Sequence, residues 1–291
     1  MHLYGFDVPG SPGNPQPVRG ITTALEAALA YLVSVDSGAA GRFRERVGAF
    51  LRRDHKTTLE DYGALNEAQR DRITAAVADL VGLVERRGLV YSAATSDEAY
   101  QWGWRHAVGA RQIDTWLREL PPGWSGFGGE IRWQPWMAEA HQARDRAMMD
   151  NVMWILEREG PDGRVMIFAS RYHLSGAPVR IADKVQVVLG RYLRQRFGAQ
   201  LVSFGEIVQP ACYPDSVVAR SSYGLTIDDI VTPRMKPSFL LDLRRSPAEM
   251  RRWLDEKPMG DGQILMTGAG KAFDVLWYGS SRRSCFSGRR P

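Results

Sequence analysis

The stretch VMIFASRYHLSGAP, Val165 to Pro178, passes in one step from an unbroken apolar run to a cluster of polar groups around a single imidazole. An imidazole changes charge near neutral pH, so His173 is suited to act as a base or as a hydrogen-bond donor. Ser170, Arg171 and Tyr172 stand beside it. Asp7 forms a second polar position, directly after the aromatic alternation HLYGF. A third lies on AEAHQARDRAMMDNVMWILEREG, where three- and four-residue steps bring His141, Arg144, Asp145, Met148, Val152 and Ile155 near one helix face. That face is polar in its first turns and apolar beyond them. Arg144 offers a rigid fork for a carboxylate or a developing oxyanion, and Asp145 can hold the fork in place. Plainer roles compete with these: His173 pinning its own loop through backbone contacts, and Arg144 with Asp145 as a surface ion pair.

Such groups act together only where secondary-structure elements converge. In open α/β sheets ligands bind beyond the carboxyl ends of parallel strands, where loops meet and helix amides point inward. The pattern predicts strands at HLYGFD and at Val165–Ala169, each followed at once by polar residues. From Val18 to about Leu120 it is helical. Leu25, Leu29 and Leu32 mark one helix, Phe43, Val47, Phe50 and Leu51 a second, RITAAVADLVGLVERRG a third ending at Gly88, and Ser96–Leu120 a fourth. Further on come helices Met137–Glu157 and Val185–Phe197, strand Leu201–Val208, strand SFLLDL, helix PAEMRRWLDE, and short strands near QILM and FDVLWY. This alternation predicts an α/β fold, a mainly parallel sheet flanked by helices. The expected organisation is one domain over 1–279 with a helical insertion at about 18–120, then an irregular basic tail, 280–291.

Several chemistries are excluded by motif. TGAGKAF lacks the first Gly and the hydroxyl of a P-loop, RSSYG lacks the first Gly of a nucleophile elbow, and neither GFGGEI nor GDGQIL completes Gly-x-Gly-x-x-Gly. The five His show no zinc spacing, so neither a metal nor a cofactor is expected. The formal charge is +5, but Arg282, Arg283, Arg289 and Arg290 supply four of those charges, which leaves the body near neutral and argues against a nucleic-acid partner. Only two cysteines, Cys212 and Cys285, are present, so a reducing cytoplasm is the expected location. No apolar run approaches the roughly 18 residues of a membrane span.

The order RDRAMMDNVMWILEREGPDGRVMIFASRYHLSGAP resembles the erythromycin esterase family. In that family an Arg-Asp, a Met-x-acidic-Asn stretch and a Trp helix precede a strand ending in Ala-(His or Asn)-x-x-His. Arg144, Asp145, Met148, Asp150, Asn151, Trp154 and Ala169 through His173 stand at the matching places. LYGFDVPGSPGNPQP looks like the family's internal strand ending in Gly-x-Asp. SYGLTIDDIVTP, SFLLDLR and GKAFDVLWY resemble its C-terminal part.

The resemblance implies an α/β fold with a helical insertion and a metal-independent hydrolase of carboxylic esters or macrolide lactones, with antibiotic resistance as its setting. His173 and Arg144 would be catalytic, the first orienting or activating water and the second stabilising the oxyanion. Asp7, Asp145, His141, Ser170 and Tyr172 would bind or orient substrate. The chain departs from the family in two places. The family's Gly-Glu-x-Thr-His motif does not occur, and Gly129-Glu130 and Gly205-Glu206 have no nearby His. Ser170 stands where many members carry His or Asn. The sequence therefore reads as a member truncated ahead of its first catalytic strands, with weakened or lost activity, an open sheet edge and a tendency to associate. The alternative is a non-enzymatic module that holds an apolar or sugar-bearing small molecule on the Trp-rich region from Trp102 to Trp136.

Overall fold

The helical period of the first hundred residues is realised directly. In the computed structural model, which describes residues 2–7, 20–48, 59–122, 135–181, 184–207, 226–231, 238–260 and 264–279, the chain falls into two compact units, Met1–Met148 and Met149–Pro291.

The first unit is built from α1 (Gly20–Val35), α2 (Ser37–Val47), α3 (Leu59–Gly63), α4 (Glu67–Arg86), α5 (Gly88–Ala94) and α6 (Asp97–Arg118), and it receives the first turns of α7 (Pro135–Glu159). Leu25, Leu29 and Leu32 recur on one face of α1 and are each 0% exposed, at the centre of a core shared with Phe43, Val77, Leu80 and Trp116. The caps are written in the sequence. Asp36 accepts from the Ala39 amide at 2.8 Å, Ser96 accepts from the Ala99 amide at 3.1 Å, and Asn66 with Gln69 closes a reciprocal capping box at 2.9 Å on each side. Each satisfies helix-start amides that would otherwise lack partners. α1 lies against α6 because Gly103 presents no side chain there; a Cβ at that position would stand 2.2 Å from the Tyr31 ring.

Gly88 does not close α4 as a left-handed cap. Arg87 holds the C-cap, and Gly88 opens α5, where a Cβ would meet the Tyr100 hydroxyl at 2.7 Å. Buried polar ties complete the layer: Arg70 donates to the Leu120 carbonyl at 2.7 Å, and Thr74 donates to Asp114, also at 2.7 Å.

The second unit carries α8 (Arg171–Leu174), β1 (Val179–Ile181), β2 (Lys184–Gln186), α9 (Leu189–Phe197), β3 (Phe204–Glu206), α10 (Ile227–Val231), β4 (Ser238–Asp242), α11 (Ala248–Glu256), β5 (Met259–Gly260), β6 (Ile264–Met266), α12 (Ala269–Ala272) and β7 (Val275–Gly279). The expectation of a mainly parallel sheet is corrected. Among the described residues there are two small sheets, ordered β2-β1-β6-β5 and β3-β7-β4, and the β3–β7 pair alone is parallel. For two of the four antiparallel pairs, β1–β2 and β5–β6, the cause is connection length. Residues 182–183 join β1 to β2 and residues 261–263 join β5 to β6, and links this short permit only antiparallel return, since a parallel crossover needs about a dozen residues.

Three further expectations change. Val185 belongs to β2, paired opposite Arg180, and the helix begins only at Leu189 after an extended Val188. No strand forms over residues 2–6, and Leu3 is 100% exposed. The apolar run Val165–Ala169 is not a paired strand either. Its exposure alternates residue by residue as a strand's does, with Met166 at 91% and Phe168 at 95%, yet none of the backbone groups of residues 164–169 makes a hydrogen bond among the described residues. The local conformation follows the sequence; the ladder that defines a strand needs a neighbour. The basic tail, both cysteines, Phe50 and Leu51 lie outside the described residues.

Candidate functional site

Residues singled out for chemistry occur in both units. In the first, α7 carries His141, Arg144 and Asp145 in its opening turns. The spacing that grouped them also groups their burial: Arg144 is 6% exposed, Asp145 0%, and Met148, Val152 and Ile155 follow as buried positions on the same face. A guanidinium this far from water requires a partner of opposite charge. Arg144 donates from Nε to Oδ1 of Asp7 at 2.8 Å and from Nη2 to Oδ2, a side-on bidentate pair. The Asp7 side chain is 44% exposed, so the pair has one buried and one wet member. The structure thus brings together two residues chosen separately from the sequence, and the carboxylate gripping the fork comes from Asp7. His141 is half-buried two turns from the start of the helix.

In the second unit, His173 sits on α8 and is 7% exposed. Ser170 occupies the N-cap position with an extended backbone; its side chain makes no cap, while its carbonyl accepts from the Leu174 amide at 3.3 Å. The Tyr172 ring meets the imidazole edge to face at 4.5 Å between centroids, and its hydroxyl donates to Oε1 of Gln186 at 2.8 Å. Arg171, on the other side, donates from Nη1 to the Glu206 carbonyl at 2.8 Å and to Asp228 Oδ1 at 2.7 Å. The second oxygen of Asp228 accepts from the Gly260 amide at 2.8 Å.

A turn of four residues has no intrinsic stability. α8 is held instead from outside: by β2 through Tyr172, by β3 through Arg171, and by α10 and β5 through Asp228. Gly190 completes the clamp, since a Cβ there would stand 2.2 Å from the Leu174 carbonyl oxygen, so α9 packs backbone to backbone against α8. Asp228 and Gln186, 3% and 4% exposed, are the residues that sequence reasoning passes over. Asp228 lies 57 positions from Arg171, and in TIDDI it reads as an ordinary helix-start carboxylate. A buried acid in an apolar setting is the only local signal, and it is weak.

In the Trp-rich region, Trp116, Trp104 and Trp136 belong to the helical core or pack against it. Trp116 is 2% exposed in the helical core, and Trp104 packs against that core while donating to Glu85 at 3.1 Å. Trp102 lies beside His106, ring centroids 6.1 Å apart, and Trp124 and Trp133 fall outside the described residues. A cleft of about 500 Å³ opens in the second unit between Gly176, Arg191, Glu256, Thr267 and Lys271, and none of the residues chosen from the sequence lines it. Among the described residues no group of three or more His, Cys, Asp or Glu is placed to hold a metal ion, and no helix is long and apolar enough to cross a membrane.

Comparison with known proteins adds a family match for the chain. The family model for erythromycin esterase matches residues 1–268. No curated protein matches the chain. Among solved structures, a protein from Bacillus cereus is similar with a TM-score of 0.68 at 18% identity, over 94% of this chain and 65% of its own. A succinoglycan biosynthesis protein reaches 0.65 at 14% identity, over 96% of this chain and 64% of its own. A mutant of the erythromycin esterase EreC in its open conformation reaches 0.70 at 14% identity, over 95% and 68%. These likenesses establish the fold, and the chain spans about two thirds of the length of the structures it resembles.

Proposed function

The chain belongs to the erythromycin esterase family, and on that premise we propose that it is a hydrolase of carboxylic esters, macrolide lactones among them, working by metal-independent, His-assisted attack of water. One observation carries the reading: the family match covers a His173 that is 7% exposed and sits on a turn clamped by its neighbours. A general base serves only when its lone pair is aimed and its surroundings are partly dry. In this scheme His173 takes the proton of the attacking water. Arg144, whose guanidinium plane Asp7 sets, is a candidate site for a carboxylate or oxyanion within the first unit. Tyr172 and Ser170 orient substrate beside His173, and His141 and Asp145 neighbour Arg144 on α7.

The test is hydrolysis of a macrolide and of simple aryl esters by the wild-type chain and by His173→Ala. Turnover above the buffer blank that drops by about 10² or more in the variant supports the assignment. Equal turnover in both removes His173 from the mechanism. Macrolide binding seen by calorimetry without any turnover replaces the hydrolase with a binding module.

A further inference from the structure

A buried carboxyl is costly unless its charge is fully met, and the first unit holds one that the proposed chemistry does not use. Asp114, on α6, is 2% exposed. Its Oδ2 accepts from the Thr74 hydroxyl of α4 at 2.7 Å, whereas Oδ1 is buried with no hydrogen-bond partner. Arg118, one helical turn further along α6, makes its ion pair with Asp71 at 2.9 Å. Burial works against the charged form of Asp114 more strongly than the Thr74 hydroxyl, the Arg118 charge and the Tyr62 hydroxyl together favour it, so the carboxyl lies above its ordinary value of 3.8.

Tyr62 is the side chain by which α3 covers this carboxyl. At five residues, α3 is too short to stand as a helix on its own. It is held by Tyr62, 0% exposed, over whose ring the Arg70 guanidinium lies at 4.8 Å, and by the Gly63 carbonyl, which accepts from Arg70 Nη2 at 3.1 Å. Burial, and then the charge of Asp114, hold the Tyr62 hydroxyl above its ordinary value, so it keeps its proton while Asp114 titrates. The groups that face Asp114 are therefore Thr74 from α4, Tyr62 from α3 and Arg118 from its own helix, with Arg70 acting through Tyr62 and Asp71 through Arg118.

We propose that Asp114 and Tyr62 form a proton-operated latch: a proton on Asp114 keeps α3 closed over the helical core, and loss of that proton to solvent favours the release of α3. The direction follows from what opening does. With α3 lifted, water reaches the carboxyl and returns it towards its ordinary value of 3.8, so the closed form binds the proton more tightly than the open one. The closed form's advantage is complete below 3.8 and is lost as pH rises from there through the raised value. Each pH unit between the two values favours opening about tenfold. The latch lies wholly in the first unit and is independent of the hydrolase reading.

Hydrogen exchange of the whole chain between about pH 4 and 9, corrected for the intrinsic pH dependence of amide exchange, tests this. The amides of residues 59–65 should lose at least about tenfold in protection across that range, while those of α1 and α6 change less. Asp114→Asn keeps the shape of the neutral acid and has no proton to lose. In that variant protection of 59–65 should stay level, and at the alkaline end it should exceed the wild type at least about tenfold. The carboxyl carbon of Asp114, followed by NMR in the wild-type chain, should titrate above 3.8, with the loss of protection levelling off at its midpoint. Wild-type protection of 59–65 that does not vary with pH overturns the proposal. So does an Asp114→Asn chain that retains the wild-type slope, which would assign the slope to another group, or an Asp114 carbon that titrates at the ordinary value. The two wild-type readings decide the matter even if the Asn chain does not fold.

Discussion

Replacing Asp228 by Ala should loosen the turn that holds His173, and the size of the effect can be worked from the contacts. Asp228 is 3% exposed and serves two donors, the Arg171 guanidinium at 2.7 Å and the Gly260 amide at 2.8 Å. Breaking a fully buried ion pair by removing one partner costs about 3–5 kcal/mol, because the remaining charge is stranded. The Arg171 side chain is 15% exposed and keeps the Glu206 carbonyl, so the cost falls just below that range, about 2–3 kcal/mol. The orphaned Gly260 amide adds about 1 kcal/mol. Asp228→Ala should therefore cost about 3–4 kcal/mol, a large share of a typical domain's stability. Asp228→Asn keeps one acceptor oxygen, for Arg171 or for the Gly260 amide but not for both, and should cost about half as much.

Chemical denaturation gives the stability difference, and NMR of the imidazole reads the site itself. In Asp228→Ala the His173 ring resonances should shift and broaden and the α8 amides should lose protection, with the Asn variant in between. If Ala and Asn are equivalent within about 0.5 kcal/mol, or if the His173 signals do not move, the clamp does not position the imidazole.

Gly103→Ala sets helix propensity against packing. Ala gains about 1 kcal/mol over Gly in a helix interior, but its Cβ would lie 2.2 Å from the Tyr31 ring, and forcing a ring aside in a packed layer costs about 1–3 kcal/mol. The expected net result is a lower melting temperature, and a rise would show that α1 and α6 separate without penalty. Burial holds the His106 imidazole below its ordinary value of 6.5. The unfolded chain therefore binds a proton that the native state resists, and this contribution to stability is lost as pH falls from 6.5 towards the lowered native value. His106→Gln should flatten that part of the melting-temperature profile between about pH 5 and 7; an unchanged profile would assign the dependence to other groups.

The elements legible in the sequence were those whose signal is local. Leu25, Leu29 and Leu32, the Ser96 cap and the face running from Arg144 to Ile155 need only a 3.6-residue period to be seen. Sheet direction needs to know which strand returns beside which, and β1 and β5, three and two residues long, carry no run from which to read it. The run Val165–Ala169 shows the same divide, since its alternation is local and its missing ladder is not. The site divides likewise. Arg144 and Asp7 were each readable as groups with chemistry to offer, but their union across 137 positions is a tertiary event, as is the capture of Arg171 by Asp228.

The Arg144–Asp7 pair has a consequence that burial decides. Asp7 stands 44% in water, so water substitutes for much of what it contributes, and the pair taken alone is worth about 1 kcal/mol or less. Arg144, 7% exposed along its side chain, has no such replacement. A lysine there cannot present two parallel donors, and its compact charge is harder to desolvate. Arg144→Lys should accordingly cost about 2–3 kcal/mol and Asp7→Asn less than about 1 kcal/mol, with a coupling in the double-mutant cycle no larger than the Asp7 effect. Equal costs for the two single changes would mean that the carboxylate, not the buried guanidinium, anchors this end of α7.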